Sequence, residues 1–235
     1  RHWLTNPHQT FRNRLETYMK SPNWLTAALT AIALTATPTA ALAQEGEAEA
    51  PAVVLDNIVL GDVVLGDADA PITIVEYASV TCPHCAHFHE SVMPVIEERI
   101  ELGEVKFIFR EFPTPPVQIA MAGFLIARCA GEDQYYPVLD TLFTGQDDML
   151  QAARGGTVGE WLEGVAAGAG LSEPEFRACL ADEELFNSMV ATIEAGQDAG
   201  VRATPTVFMN GELLGNDAQT GAGMAALIDA ALAAE

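Results

Sequence analysis

The residues best placed to do chemistry are Cys82-Pro83-His84-Cys85. Upstream, Ile72-Thr73-Ile74-Val75-Glu76-Tyr77 reads as a strand; downstream, Cys85, Phe88, Val92 and Ile96 recur at helical spacing. The first cysteine therefore falls at a strand-to-helix junction. There the unpaired N–H groups and the positive end of the helix dipole stabilise an anion, so Cys82 is expected as a thiolate near neutral pH. Cys85, one turn later on the inward face, can close a disulfide with it. This is a pattern for redox chemistry.

Two other readings of the same residues stand beside it. Cys82, Cys85, His87 and His89 offer four possible zinc ligands, but a structural zinc site usually takes its other half from a distant pair, and no histidine lies beyond His89. No metal is expected. An inert structural disulfide is the third reading.

The N-terminus suggests a compartment. Arg12, Arg14 and Lys20 precede an apolar stretch from Trp24 to Leu34, which leads to Ala41-Leu42-Ala43, the small-x-small pattern of a signal peptidase site. The stretch is shorter than the roughly 20 residues of a membrane-spanning helix. The expectation is a leader over 1–43, with Met19-Lys20 as the start of a compact signal peptide, and cleavage after Ala43.

The formal net charge is −22. The leader holds four of the 11 basic residues and one of the 33 acidic ones, so the remainder is more acidic still. Phosphate binding needs Lys/Arg clusters, so nucleic acid and anionic membrane surfaces are excluded as partners.

Further along, Gln44 to Ala52 is rich in Glu and Ala and belongs to a linker over 44–56. Short strand candidates at 58–60 and 63–65 precede the strand at 72–77, a helix over 83–101 that Pro94 should kink, and a strand at 105–110. From Pro113 to about Gly196 the pattern is helical, with segments at 117–129, 135–143 and 161–169 and a capping box at Ser172-Glu173-Pro174-Glu175. Thr206 to Leu214 reads as a hairpin around Asn210-Gly211, with both turn residues at positive φ. A helix over 223–232 closes the chain. Strands at both ends must share one sheet to bury their faces, so the helices between them are an insertion.

Together these residues resemble the DsbA-type thiol:disulfide oxidoreductases. The resemblance rests on Val75-Glu76-Tyr77, on Cys82-Pro83-His84-Cys85, on Phe109-Arg110-Glu111-Phe112-Pro113 and on Gly200-Val201-Arg202-Ala203-Thr204-Pro205-Thr206. It implies an α/β protein with a thioredoxin-like fold over 57–112 and 197–235 and an inserted helical domain over 113–196. It also implies a periplasmic location and a redox-active disulfide in place of a cofactor. Cys82 would be the nucleophile that forms a mixed disulfide with substrate, and Cys85 the resolving partner. Pro205 matches a cis-proline that, with Thr204 and Pro83, meets the incoming peptide. Glu76 matches a buried acid that exchanges protons with the resolving cysteine.

His84 bears on direction. A dipeptide that stabilises the Cys82 thiolate stabilises the reduced protein, which makes the disulfide an oxidant. The implied substrates are reduced secreted polypeptides, met by a monomer that a DsbB-type membrane protein reoxidises. Thr204 also resembles isomerases and reductases of the superfamily, which take electrons from a DsbD-type partner; a non-catalytic binding protein or chaperone is the remaining class. Cys129 and Cys179 are an even pair in an oxidising compartment, which favours a structural disulfide over two free buried thiols.

Overall fold

The computed structural model describes residues 60–234. The leader 1–43 with its cleavage point, the linker 44–56 and most of the strand candidate at 58–60 lie outside the described residues. Among the described residues five strands form one sheet: β1 (Val64–Leu65), β2 (Ile72–Ala78), β3 (Val105–Glu111), β4 (Thr206–Met209) and β5 (Glu212–Leu213), in the order β1-β3-β2-β4-β5. Only β2 and β3 run parallel. Every residue of β2 is buried, as its nearly unbroken apolar run requires of a central strand covered on both faces.

Parallel neighbours need a crossover, which α1 (Pro83–Ser91) and α2 (Met93–Glu101) supply. The sequence reads 83–101 as one kinked helix; the structure breaks it at Val92, with φ −111° and ψ −42°. Pro94 has no N–H to continue the ladder, and it sits in the first turn of α2, where that donor is not needed.

Between β3 and β4 lie α3 (Val117–Cys129), α4 (Glu132–Thr144), α5 (Gln146–Gly155), α6 (Val158–Gly168), α7 (Glu173–Leu180) and α8 (Glu183–Asp198); α9 (Gly221–Leu232) follows the hairpin. Ala120 to Ala127 of α3 are all buried, so α3 has no polar face there and forms the centre of the helical layer against α4 and α7. Helices α5 and α8 have no counterpart in the sequence-derived segments. Each starts on local chemistry: Asp147 and Asp148 lie in the first turn of α5, and the Asp182 side chain accepts from Leu185 N at 2.9 Å to cap α8.

Alternation along β2 divides its side chains between the two faces. Val75 and Tyr77 pack with Ile108, Val201 and Phe208 on the face approached by α8. The approach is close: a Cβ added at Gly196 of α8 would stand 2.7 Å from the Tyr77 ring. Glu76 projects to the other face. The hairpin turn has Asn210 at φ 50° and Gly211 at φ 86°, as the Asn-Gly pair predicts.

Two ion pairs hold the end of β3. Arg110 binds both oxygens of Asp62, at 3.1 and 2.9 Å, and lies over the Tyr77 ring. Glu111, with no side-chain exposure, takes two hydrogen bonds from Arg128 of α3 and one from Tyr135 of α4. The strand thereby grips the helices that follow it.

Candidate active site around Cys82

Cys82 occupies the N-cap of α1, with φ −90° and ψ 119°, and Pro83 follows in the first turn, where its missing N–H is not needed. The Cys82 carbonyl accepts from the backbone N–H of Cys85 and of Ala86, both at 3.1 Å. The helix start is thus closed on itself, with the thiol at its positive end. Cys82 is 7% exposed and Cys85 fully buried, and both are free thiols in this structure.

The two thiols ionise in opposite senses. A hydrogen bond from the Cys85 thiol is the largest influence on Cys82; burial opposes it, while Thr204 and the backbone N–H groups of Cys85 and His84 assist, and the result is a pKa of about 5. Burial first, then donation to Cys82 and the nearby Glu76 carboxyl, raise Cys85, which keeps its proton. The reduced site is one thiolate and one thiol. His84 is exposed and reaches Cys82 through its main-chain N–H.

Glu76 is 3% exposed, and its Oε1 finds no hydrogen-bond partner among the described residues. Burial, and then the negative charge on Cys82, push its pKa up to about 8. The Thr204–Pro205 bond is cis, and the Thr204 carbonyl oxygen lies 3.4 Å from Cys82 Sγ. Glu76, Cys82, Cys85 and Thr204 therefore meet, with Pro83, His84 and Pro205 adjacent to them in the chain.

The remaining residues singled out from the sequence lie elsewhere. Cys129 and Cys179 are bonded to each other, tying α3 to α7. His87 is exposed, 4.0 Å from Glu90; His89 reaches Asp140 of α4 at 3.0 Å and stacks on Phe143. No cluster of three or more His, Cys, Asp or Glu side chains suited to a metal ion occurs among the described residues.

The sequence left one site residue unmarked. Gln146, the first residue of α5 and 5% exposed, sends Nε2 to the carbonyl oxygens of Val80 at 2.9 Å and Cys82 at 3.1 Å. Its helix start could have been found from Gly145 and the acidic first turn. No local signal marks an amide that serves a loop more than 60 residues away. Ser79, Thr81 and Thr114 tie the other side of that loop, with Thr81 Oγ1 donating to the Thr114 carbonyl at 2.8 Å.

The thioredoxin family model matches residues 59–230. The chain belongs to the thioredoxin family. This thioredoxin-family chain superposes on alpha-DsbA1 of Wolbachia pipientis with a TM-score of 0.67 and 26% identity, covering 74% of this chain and 92% of that one. The thioredoxin-like fold with a helical insertion, read from the sequence, is therefore the fold found. Disulfide bond formation protein D of Bacillus subtilis is 29% identical over 162 residues, 63% of this chain and 67% of that protein. A Rickettsia bellii protein named as a protein-disulfide oxidoreductase is 26% identical over 145 residues, 61% of this chain and 54% of that protein. The chain thus spans about half the length of this Rickettsia relative.

Proposed function

We propose that this protein is a thiol:disulfide oxidoreductase that passes a Cys82–Cys85 disulfide to reduced secreted polypeptides in the periplasm. The observation that carries the reading is the pairing of a thiolate at Cys82 with a protonated, buried thiol at Cys85 one helical turn away. A substrate thiolate attacks Cys82 Sγ, the Cys82–Cys85 bond breaks, and Cys85 leaves as a thiolate that takes a proton, with Glu76 the buried group placed to supply it. A second substrate thiolate then attacks the mixed disulfide and expels Cys82 as a stable thiolate. Two electrons pass from the substrate dithiol to the protein, and a DsbB-type membrane partner removes them.

The lowered Cys82 pKa favours the reduced protein. At pH 7 a thiolate with a pKa of about 5 is stabilised, after allowance for solvent screening, by roughly 2 kcal/mol, which is on the order of 40 mV toward an oxidant. Pro83, Thr204 and Pro205 contact substrate, His84 tunes the thiolate, and the Cys129–Cys179 bond staples an inserted helical domain over 113–196 to itself. The protein acts as a monomer, without a bound cofactor.

A second reading, isomerase or reductase served by a DsbD-type partner, draws on Thr204, whose carbonyl stands against Cys82 Sγ. Refolding of fully reduced ribonuclease against scrambled ribonuclease separates the two. Fast oxidation by the disulfide form with slow unscrambling by the dithiol form is the expected result; the reverse assigns the protein as an isomerase, and Cys82→Ser must abolish either activity.

A further inference from the structure

A groove of about 580 Å3 opens beside the reactive cysteine, between α1 and α2 on one wall and α4 and α5 on the other. Pro83 and Gln146 stand at its Cys82 end, while Thr204 and Pro205 do not line it. It is therefore a surface separate from the loop that meets the sulfur. Met93 and Phe143 give it an apolar lining, and its size is that of clefts that hold small ligands, ~300–1,000 Å3.

Its charge is one-sided. Glu90, Glu97, Asp140 and Asp147 line it and no Lys or Arg does. Glu90 and Asp140 face His87 and His89, which leaves Glu97 and Asp147 as the carboxylates without an ion pair among the described residues. A cleft with apolar walls focuses such a field and concentrates ligands of the opposite charge.

A second observation marks the groove as a place for a ligand. Gln146 is almost wholly buried, and both its hydrogen bonds go from Nε2 to carbonyl oxygens, so the amide orientation is settled by its partners. Oε1 accepts no hydrogen bond among the described residues and belongs to a side chain that lines the groove. An acceptor is thus held ready, one side chain away from the Cys82 backbone, for a donor on whatever occupies the groove.

We infer that the groove is a substrate subsite for an extended polypeptide segment carrying Lys or Arg beside its reactive cysteine. The inference rests on the disulfide-exchange reading of Cys82. The segment's backbone or cationic side chain donates to Gln146 Oε1, its aliphatic stem covers Met93 and Phe143, and its charge is met by Glu97 and Asp147.

The test uses the oxidised protein and three two-cysteine peptides that differ only in flanking lysine, serine or glutamate residues. Each second-order rate of protein reduction at pH 7 is divided by the same peptide's rate with the uncharged hydroxyethyl disulfide, which removes the effect of flanking charge on the peptide thiol without adding a charge preference of its own. At about 0.02 M salt the lysine peptide should react about tenfold faster than the glutamate peptide, and the preference should collapse at high salt. Glu97→Gln/Asp147→Asn should reduce the ratio to about threefold or less, while Glu184→Gln/Glu194→Gln, which removes the same charge from α8 away from the groove, should leave it unchanged. No lysine preference, or equal loss in both pairs of variants, overturns the subsite, since steering by the overall charge would then suffice.

If the serine peptide does not reduce the protein, the exchange reading fails and the subsite is judged by calorimetry alone. A cysteine-free lysine peptide should still bind the full chain and lose affinity only in the Glu97→Gln/Asp147→Asn variant; absence of binding overturns it.

Discussion

Glu76 and Cys82 hold one negative charge between them: burial keeps the carboxyl protonated up to about pH 8, while hydrogen bonds release the thiol's proton at about pH 5. An ordinary carboxyl and thiol would carry the charge the other way round. The exchange of roles sets how the protein's stability responds to pH in its two redox states.

The Glu76 pKa rises on folding from 4.5 to about 8, so its contribution is fully present below pH 4.5 and is lost as pH rises through 8, at about 1.4 kcal/mol per unit between. The Cys82 pKa falls on folding from 9.0 to about 5, so its contribution is present above pH 9 and is lost as pH falls through 5. In the reduced protein the two slopes oppose each other between about pH 5 and 8. A disulfide does not titrate, which leaves the Glu76 slope uncompensated in the oxidised protein; without the Cys82 charge the Glu76 pKa is raised by burial alone, so the slope there ends below pH 8. Urea unfolding across that range should show the oxidised form losing stability with rising pH, the reduced form holding nearly level, and Glu76→Gln flattening the oxidised curve.

The thiol of Cys85 is the largest single influence that lowers Cys82. Cys85→Ala should move the Cys82 titration, followed by thiolate absorbance, from about 5 toward 9.0, stopping short because the backbone N–H groups of α1 remain. An unchanged midpoint would assign the thiolate to Thr204 and the helix end.

Gln146→Leu leaves the carbonyls of Val80 and Cys82 without their side-chain donor. Stability should fall by about 1–3 kcal/mol, with faster amide exchange over 79–86 as the local signature. Loss of stability without faster exchange there would mean that Gln146 serves packing and not the reactive loop.

Glu111→Gln removes the counter-charge of Arg128, whose side chain is 9% exposed. The expected cost is about 3–5 kcal/mol. Arg177→Ala breaks an exposed pair with Glu173 one helical turn away and should cost about 0.5 kcal/mol or less. Denaturant midpoints of the two variants should therefore be well separated.

The Cys129–Cys179 bond closes a loop with a sequence separation of 50. Cys129→Ala/Cys179→Ala, compared with the parent while Cys82 and Cys85 remain oxidised, should lose roughly 4 kcal/mol.

The sequence by itself determined whatever depends on near neighbours. Cys82 falls between a strand and a helix because apolar spacing changes from one period to the other there. Asn210-Gly211 turns the hairpin because those residues tolerate positive φ, and Ser172 with Glu175 opens α7 through reciprocal hydrogen bonds, with Ser172 N donating to Glu175 Oε2 at 2.8 Å. Even the insertion was legible, since strands at the two ends of the chain had to find one sheet.

Tertiary structure alone decided how those residues behave. Glu76 keeps its proton because β2 lies between β3 and β4 and no donor among the described residues reaches its Oε1, a matter of surroundings that no run of residues near position 76 encodes. Gln146 and Thr204 come to Cys82 from 64 and 122 residues away. The groove exists only where α1 and α2 face α4 and α5. Ionisation and recognition depend on dielectric and on partners in space, and chain folding brings those together from segments whose local patterns carry no trace of one another.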